Sequence, residues 1–304
     1  MMNKVVIKLE NVHKFYGKLH ALQGLNLTVH PGEVFGFLGP NGAGKTTTIR
    51  CMLDLIRPNQ GSIMVLGIDP QKSPQLVKAQ VGYLPGDLSL EGDFTPRKFL
   101  KYLRRLRGDK RSWEDLLELA ERLELSMDQK IETLSQGNRQ KVGLLQSFIG
   151  QVPLMMLDEP TLGLDPLMKQ EVLNIIREEA NRGTTIFFSS HILSEVQKIA
   201  DRVGIIRKGA LVEIAQTDDL INRALTRAVV QFAEPVPESS FEHLGNINIL
   251  RINDDRRSFT LEVAGEMDGL IKTLAQYPVR DLAINRPSLE EVFLKYYKDE
   301  EGQA

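Results

Sequence analysis

The sequence predicts an α/β domain built on a largely parallel sheet, carrying a helical insert and followed by a small α+β domain. Three observations point there. Short apolar runs recur between helical patterns. One of them feeds directly into a glycine-rich loop and then a helix. Beyond about residue 215 the pattern changes to short strands and polar turns.

The apolar runs are Val34-Phe35-Gly36-Phe37-Leu38, Leu154-Met155-Met156-Leu157, Thr185-Ile186-Phe187-Phe188 and Val203-Gly204-Ile205-Ile206. Continuous runs this short suit strands buried on both faces, as in a parallel sheet. Residues 4–30 read instead as antiparallel strands and turns. After the first run comes Gly39-Pro40-Asn41-Gly42-Ala43-Gly44-Lys45-Thr46, which fits the phosphate-loop pattern. Glycines let the backbone curl until its N–H groups point inward at an anion. Lys45 can reach the β- and γ-phosphates, and the Thr46 hydroxyl can bind Mg²⁺. Residues 44–56 read as a helix, whose N-terminus favours phosphate. Gly39 to Thr47 are therefore the expected phosphate cradle.

The insert spans about 95–150. Thr95-Pro96 starts a helix, with a cap followed by proline at the first helical position. Phe99, Leu103 and Leu106 supply its apolar face. Ser112 to Asp115 starts a second helix with Leu116, Leu119 and Leu123 aligned. In the C-terminal part, residues 227–233, 247–251 and 258–263 read as strands. Ser288-Leu289-Glu290-Glu291 is a capping box for a last helix through Tyr297. Neither a phosphate loop nor a metal-ligand spacing occurs in that part.

The bulk numbers bound the function. The 304 residues suffice for two domains, and 26% charged with 42% apolar residues is a soluble globular composition. A net charge of −2 argues against a general nucleic-acid binder. Cys51 is the only cysteine, which excludes an intrachain disulfide and fits a reducing compartment. The uncharged stretch 142–157 is too short to span a bilayer and is interrupted by Gln146, Gln151 and Pro153. A membrane pathway would need another chain.

Leu154 to Leu157 ends in Asp158-Glu159. A nucleotide hydrolase needs an acid for the Mg²⁺ shell, which Asp158 fits, and a base to deprotonate water, which Glu159 fits. Alone, the pair is also a plain acidic turn after a strand; the phosphate loop favours the catalytic reading. His191 follows Ser189-Ser190 at another strand end, where ligands of α/β sheets sit. It can bond either the γ-phosphate or the attacking water.

The order Tyr16, phosphate loop, Leu134-Ser135-Gln136-Gly137-Asn138, Asp158-Glu159, Gly163-Leu164-Asp165 and His191 resembles the ABC transporter ATPases. The resemblance covers residues 4 to about 215, and the Ser-x-Gly signature is what narrows it to this family. Pro287 to Leu294 resembles, over a shorter stretch, the accessory domain of ABC-2-type exporter ATPases. The resemblance implies a P-loop NTPase (ABC ATPase) domain over residues 1–215 and an accessory α+β domain over 216–304. It implies Mg²⁺-dependent ATP hydrolysis with Lys45, Glu159 and His191 in the chemistry and Thr46 and Asp158 on the metal. Tyr16 would stack on adenine. Ser135 and Gly137 would head a helix that meets the ATP of a second subunit, with Asp165 at that interface. The implied assembly is a head-to-tail dimer, expected to be a homodimer, on the cytoplasmic face of a membrane beside an integral permease subunit.

Two positions depart from the family pattern. After Val81-Gly82-Tyr83-Leu84-Pro85 the usual glutamine is replaced by Gly86, with Asp87 next. Asp87 is the candidate substitute in the metal shell. The signature has Gln136 and Asn138 where Gly and Gln are commoner, which leaves main-chain contacts intact. The helix from Thr95 carries Arg97, Lys98, Lys101, Arg104, Arg105 and Arg107, with Lys110 and Arg111 beyond it. That is either a solvated face or a contact with a membrane partner's loop or anionic headgroups. Two other readings stand beside the exporter: an ABC-type ATPase outside transport, and a nucleotide sensor without hydrolysis.

Overall fold

The computed structural model describes residues 5–88, 90, 93–108, 111–219 and 226–285. The chain divides into two compact units, Met1–Ala215 and Gln216–Ala304.

The first unit begins with β1 (Ile7–Tyr16) and β2 (Leu19–Val29), which pair antiparallel; β4 (Gln60–Val65) joins the other edge of β1. Alternating buried residues such as Ile7, Leu9, Leu25 and Leu27 put one face of this sheet into the core. The second sheet has six strands in the order β5-β6-β7-β3-β8-β9. They are β3 (Val34–Leu38), β5 (Val81–Leu84), β6 (Leu154–Asp158), β7 (Thr185–Ser190), β8 (Arg202–Arg207) and β9 (Ala210–Gln216). Pairing from β5 through β8 is parallel. Every residue of β3, β6 and β7 is buried, which is why these strands read as unbroken apolar runs. Phe35 stacks on Phe187 at 5.8 Å between ring centres, and Phe37 meets the same ring at 5.4 Å. Cys51 lies in this core, and burial pushes its thiol up to about 11, so it stays protonated and unreactive.

Helix α1 (Lys45–Met52) is shorter than the expected 44–56. Asp54 turns into the left-handed region at φ 47, which ends the helical path. Helix α2 (Pro74–Ala79) precedes β5. The insert supplies α3 (Pro96–Arg107), α4 (Trp113–Arg122) and α5 (Gln136–Ser147). Thr95 and Ser112 cap the first two through the N–H groups of Lys98 and Asp115. The inward face of α3 differs from the expected one. Leu100 is fully buried, Phe99 and Leu103 are half-buried, and Leu106 is 65% exposed. The face is therefore centred about one turn earlier than the leucine spacing suggests. Helices α6 (Pro166–Asn181) and α7 (Leu193–Ile199) complete the unit.

The second unit is a four-stranded antiparallel sheet in the order β11-β12-β10-β13. Its strands are β10 (Thr226–Phe232), β11 (Ile247–Ile252), β12 (Ser258–Val263) and β13 (Val279–Asn285). Two short helices, α8 (Ser239–Glu242) and α9 (Asp268–Leu274), accompany it. Its core includes Val230, Phe232, Phe241, Phe259 and Leu270. Three strands fall where the sequence puts them. Strand β13 was not foreseen: all seven of its residues are exposed, so no burial alternation marks it. The expected helix of residues 288–297, and Lys110 with Asp109, lie outside the described residues.

Candidate nucleotide site

The phosphate loop leaves the C-terminal end of β3, between β7 and β8, where ligands of parallel sheets collect. Gly44 caps α1 at φ 111, a conformation a side chain disfavours. The first turn of α1 then offers N–H groups with no helical acceptor. Asn41, Gly42, Gly44, Lys45, Thr46 and Thr47 line a cleft of about 510 Å³, together with Tyr16, His20, Lys208 and Glu159. The Gly39 and Pro40 carbonyls accept from the Lys45 ammonium, and Ala43 is buried.

Lys45 is 6% exposed. Its Nζ donates to the carbonyls of Gly39 at 2.6 Å and Pro40 at 3.2 Å, and lies 3.1 Å from Glu159 Oε1. The other carboxylate oxygen of Glu159 is 2.8 Å from His191 Nδ1. The lysine, acid and histidine anticipated from separate motifs thus form one connected chain. His191 pairs with the acid itself, a partner the sequence did not point to.

Asp158 ends β6 fully buried. Its Oδ1 accepts from the Ser189 hydroxyl on the next strand, while Oδ2 has no hydrogen-bond partner among the described residues. A buried carboxylate oxygen without a partner suits a hard cation. Among the described residues no cluster of three His, Cys, Asp or Glu side chains could hold a metal by itself. The Thr46 hydroxyl and the Asp158 carboxylate are oxygen donors of the kind Mg²⁺ takes, an ion that keeps waters and phosphate oxygens in its shell. Asp87 is exposed. What lies against Asp158 is Gly86: a Cβ there would sit 2.9 Å from Oδ2 and 3.1 Å from Cγ. The glycine makes room for the carboxylate. Tyr83, two residues before Pro85, has its phenol pushed up to about 12, by burial first and by the Asp158 charge second.

The segment after Glu159 is stitched at each step. Glu159 adopts φ 50, and its N–H meets Ser189 Oγ at 3.0 Å. Thr161 donates to Glu195 Oε1 at 2.6 Å, and Ser190 donates to the same carboxylate at 2.7 Å. Asp165 caps α6 by accepting from Leu167 and Met168, both at 3.0 Å. The Met168 N–H, followed by that of Leu167, holds the Asp165 carboxyl below the usual range. Ser135 is exposed and caps α5 through the N–H of Asn138. Neither Ser135 nor Gly137 lines the cleft. Gly137 abuts the chain after the acids, where a Cβ would sit 2.7 Å from the Gly163 carbonyl oxygen.

Tyr16 ends β1 at the mouth of the cleft, 45% exposed, with the Lys14 ammonium 5.2 Å from its ring centre. Sequence reading passed over three contributors. His20 lines the cleft, stacked on Phe15 at 4.0 Å and bonded to His13 at 3.0 Å. Ser189 holds both acids. Gln140 donates to the Glu159 carbonyl at 3.0 Å. The serines ending the otherwise apolar β7 were a visible signal. Gln140 gave none, because nothing local marks which polar helix position turns inward.

A second cavity, of about 360 Å³, is bordered by Leu53, Leu55, Tyr83, Leu103, Leu106 and Ile149. It is an apolar groove beside α3.

Comparison with known proteins agrees with the geometry. A family model described as ABC transporter matches residues 22–162. The daunorubicin resistance ATP-binding protein DrrA3 of Streptomyces coeruleorubidus is 32% identical over 311 residues, covering 98% of each chain. The bacitracin transport ATP-binding protein BcrA of Bacillus licheniformis is 36% identical over 221 residues, 72% of each. A solved structure of the ATP-binding subunit of an ABC transporter aligns with a TM-score of 0.64 at 27% identity, over 71% of this chain and 91% of that one.

Proposed function

Since the chain belongs to the ATP-binding proteins of ABC transporters, we propose that it hydrolyses ATP to drive export through a separate membrane subunit. The observation that carries this reading is the connected chain from Lys45 through Glu159 to His191 along a cleft lined by the phosphate loop.

In this reading the phosphate-loop N–H groups and Lys45 bind the triphosphate, and Tyr16 stacks on the adenine. Lys45 exchanges the Gly39 and Pro40 carbonyls for phosphate oxygens, which are stronger acceptors for an ammonium. Glu159 takes the proton of the attacking water. His191 fixes the carboxylate through Oε2, leaving Oε1 for the water once Lys45 turns to phosphate. Thr46 and Asp158 would hold Mg²⁺, which neutralises charge on the transferring phosphoryl group when bound.

The exposed, Ser135-capped end of α5 does not line the chain's own cleft. A helix N-terminus favours phosphate, so its natural ligand is the ATP of a second copy, which makes the working unit a head-to-tail dimer with Asp165 at the joint. The relatives' names, drug resistance and bacitracin transport, support an export role for this chain. No helix among the described residues is long and apolar enough to cross a membrane. The apolar groove along Leu103 and Leu106 suits a segment of the permease at the cytoplasmic membrane surface.

The test is phosphate release by the purified chain and by Glu159→Gln. The variant should bind ATP, accumulate as a dimer and lose about 10²- to 10⁴-fold in turnover. Undiminished release would remove Glu159 from the role of base.

A further inference from the structure

Glu159, whose carboxylate lies between Lys45 and His191, has its backbone at φ 50, a conformation uncommon for a residue with a side chain. Two contacts from elsewhere in the fold hold the backbone on either side of its Cα. Ser189 takes its N–H from one side. On the other side Gln140, 5% exposed, donates its side-chain amide to the Glu159 carbonyl at 3.0 Å. Gln140 lies on α5, five residues beyond the Ser135 cap, so the same helix that presents its tip outward also grips the acid's backbone. A second contact ties α5 to this segment, where Gly137 closes on the Gly163 carbonyl too tightly for a side chain.

We propose that Gln140 is a positioning residue that makes the setting of Glu159 depend on the placement of α5. The inference rests on the reading above, in which the tip of α5 meets the nucleotide of a second copy. When phosphate binds there, α5 settles, and Gln140 carries that displacement to the carbonyl of Glu159. Each site's base is then set by the occupancy of the other site, and hydrolysis is cooperative between the two. The contact is not needed to satisfy the carbonyl, because the Leu162 N–H also donates to it at 3.1 Å. Losing the amide therefore leaves no orphaned acceptor, and the effect falls on placement rather than on stability.

The experiment compares the purified native chain with Gln140→Leu and the volume-conserving Gln140→Met. It measures phosphate release against ATP concentration, ATP affinity by calorimetry, and the melting temperature. Both variants are expected to melt within a few degrees of the native chain. They should keep ATP affinity within about twofold while kcat falls between about 10- and 100-fold. The Hill coefficient should fall toward one. Three results overturn the proposal: a kcat within about twofold of native, a native Hill coefficient retained in both variants, or a loss of folding or ATP affinity in both that accounts for the lost rate. A native chain that releases no phosphate would instead defeat the ATPase reading, and the inference would fall with it.

Discussion

Lys45 Nζ and Glu159 Oε1 stand 3.1 Å apart, in side chains that are 6% and 13% exposed. Two residues separated by more than a hundred positions thus share a nearly dry ion pair at the bottom of the cleft. Removing one partner of such a pair strands the other charge, so both residues are sensitive positions for a reason beyond chemistry.

The first prediction concerns the lysine. Lys45→Ala removes the cation that would bind phosphate and takes from Glu159 its ammonium partner, leaving the contact with His191. Charge-assisted hydrogen bonds contribute about 1.5–3 kcal/mol, so ATP affinity should fall about 10- to 100-fold. Titration calorimetry reads this directly, and an affinity equal to native would sink the phosphate-loop assignment.

The second concerns the space beside Asp158. Gly86→Ala places a methyl 2.9 Å from Asp158 Oδ2, in a carboxylate already tethered to Ser189. The carboxylate must turn, and its free oxygen is the one suited to a metal. The magnesium concentration for half-maximal phosphate release should rise several-fold. A magnesium midpoint identical to native would mean that Asp158 yields without consequence.

The third concerns the groove beside α3. Leu106 is 65% exposed at its rim, so Leu106→Glu should leave the melting temperature and basal phosphate release unchanged. Burying a carboxylate against an apolar partner is unfavourable, so co-purification with the membrane subunit should drop sharply. Retained co-purification would put the docking surface elsewhere.

The fourth concerns acid stability. The folded pKa of Asp165 is depressed, chiefly by the Met168 N–H. A depressed carboxylate stabilises the fold above its unfolded pKa and loses that contribution as pH falls through the folded value. Asp165→Ala should therefore melt slightly lower than native at neutral pH. The gap should close as pH drops below the usual carboxylate range. A gap independent of pH would show that the cap acts through something other than its charge.

The fold class was legible because its signals are local. Fully buried parallel strands need unbroken apolar runs, a phosphate cradle needs glycines at set spacing, and a capped helix announces itself within four residues. The same holds for where the candidate residues fall on the elements: Lys45 at the start of α1, Asp158 at the end of β6 with Glu159 next to it, and His191 just after β7. Ends and edges were less readable. The last turn of α1 was lost to a left-handed Asp54, the inward face of α3 turned on packing around Leu100, and β13 has no buried alternation.

From its sequence alone this protein determined the kind of sheet it would build and where along it a glycine-rich loop and a pair of acids would fall. The tertiary structure decided how those groups hold one another: His191 on Glu159, Gly86 against Asp158, and Gln140 reaching from another helix to the Glu159 backbone. The physical reason is range. Propensity, capping and loop geometry act over a few residues, whereas a buried carboxylate's partners are chosen by whatever the packing of distant elements brings within about 3 Å.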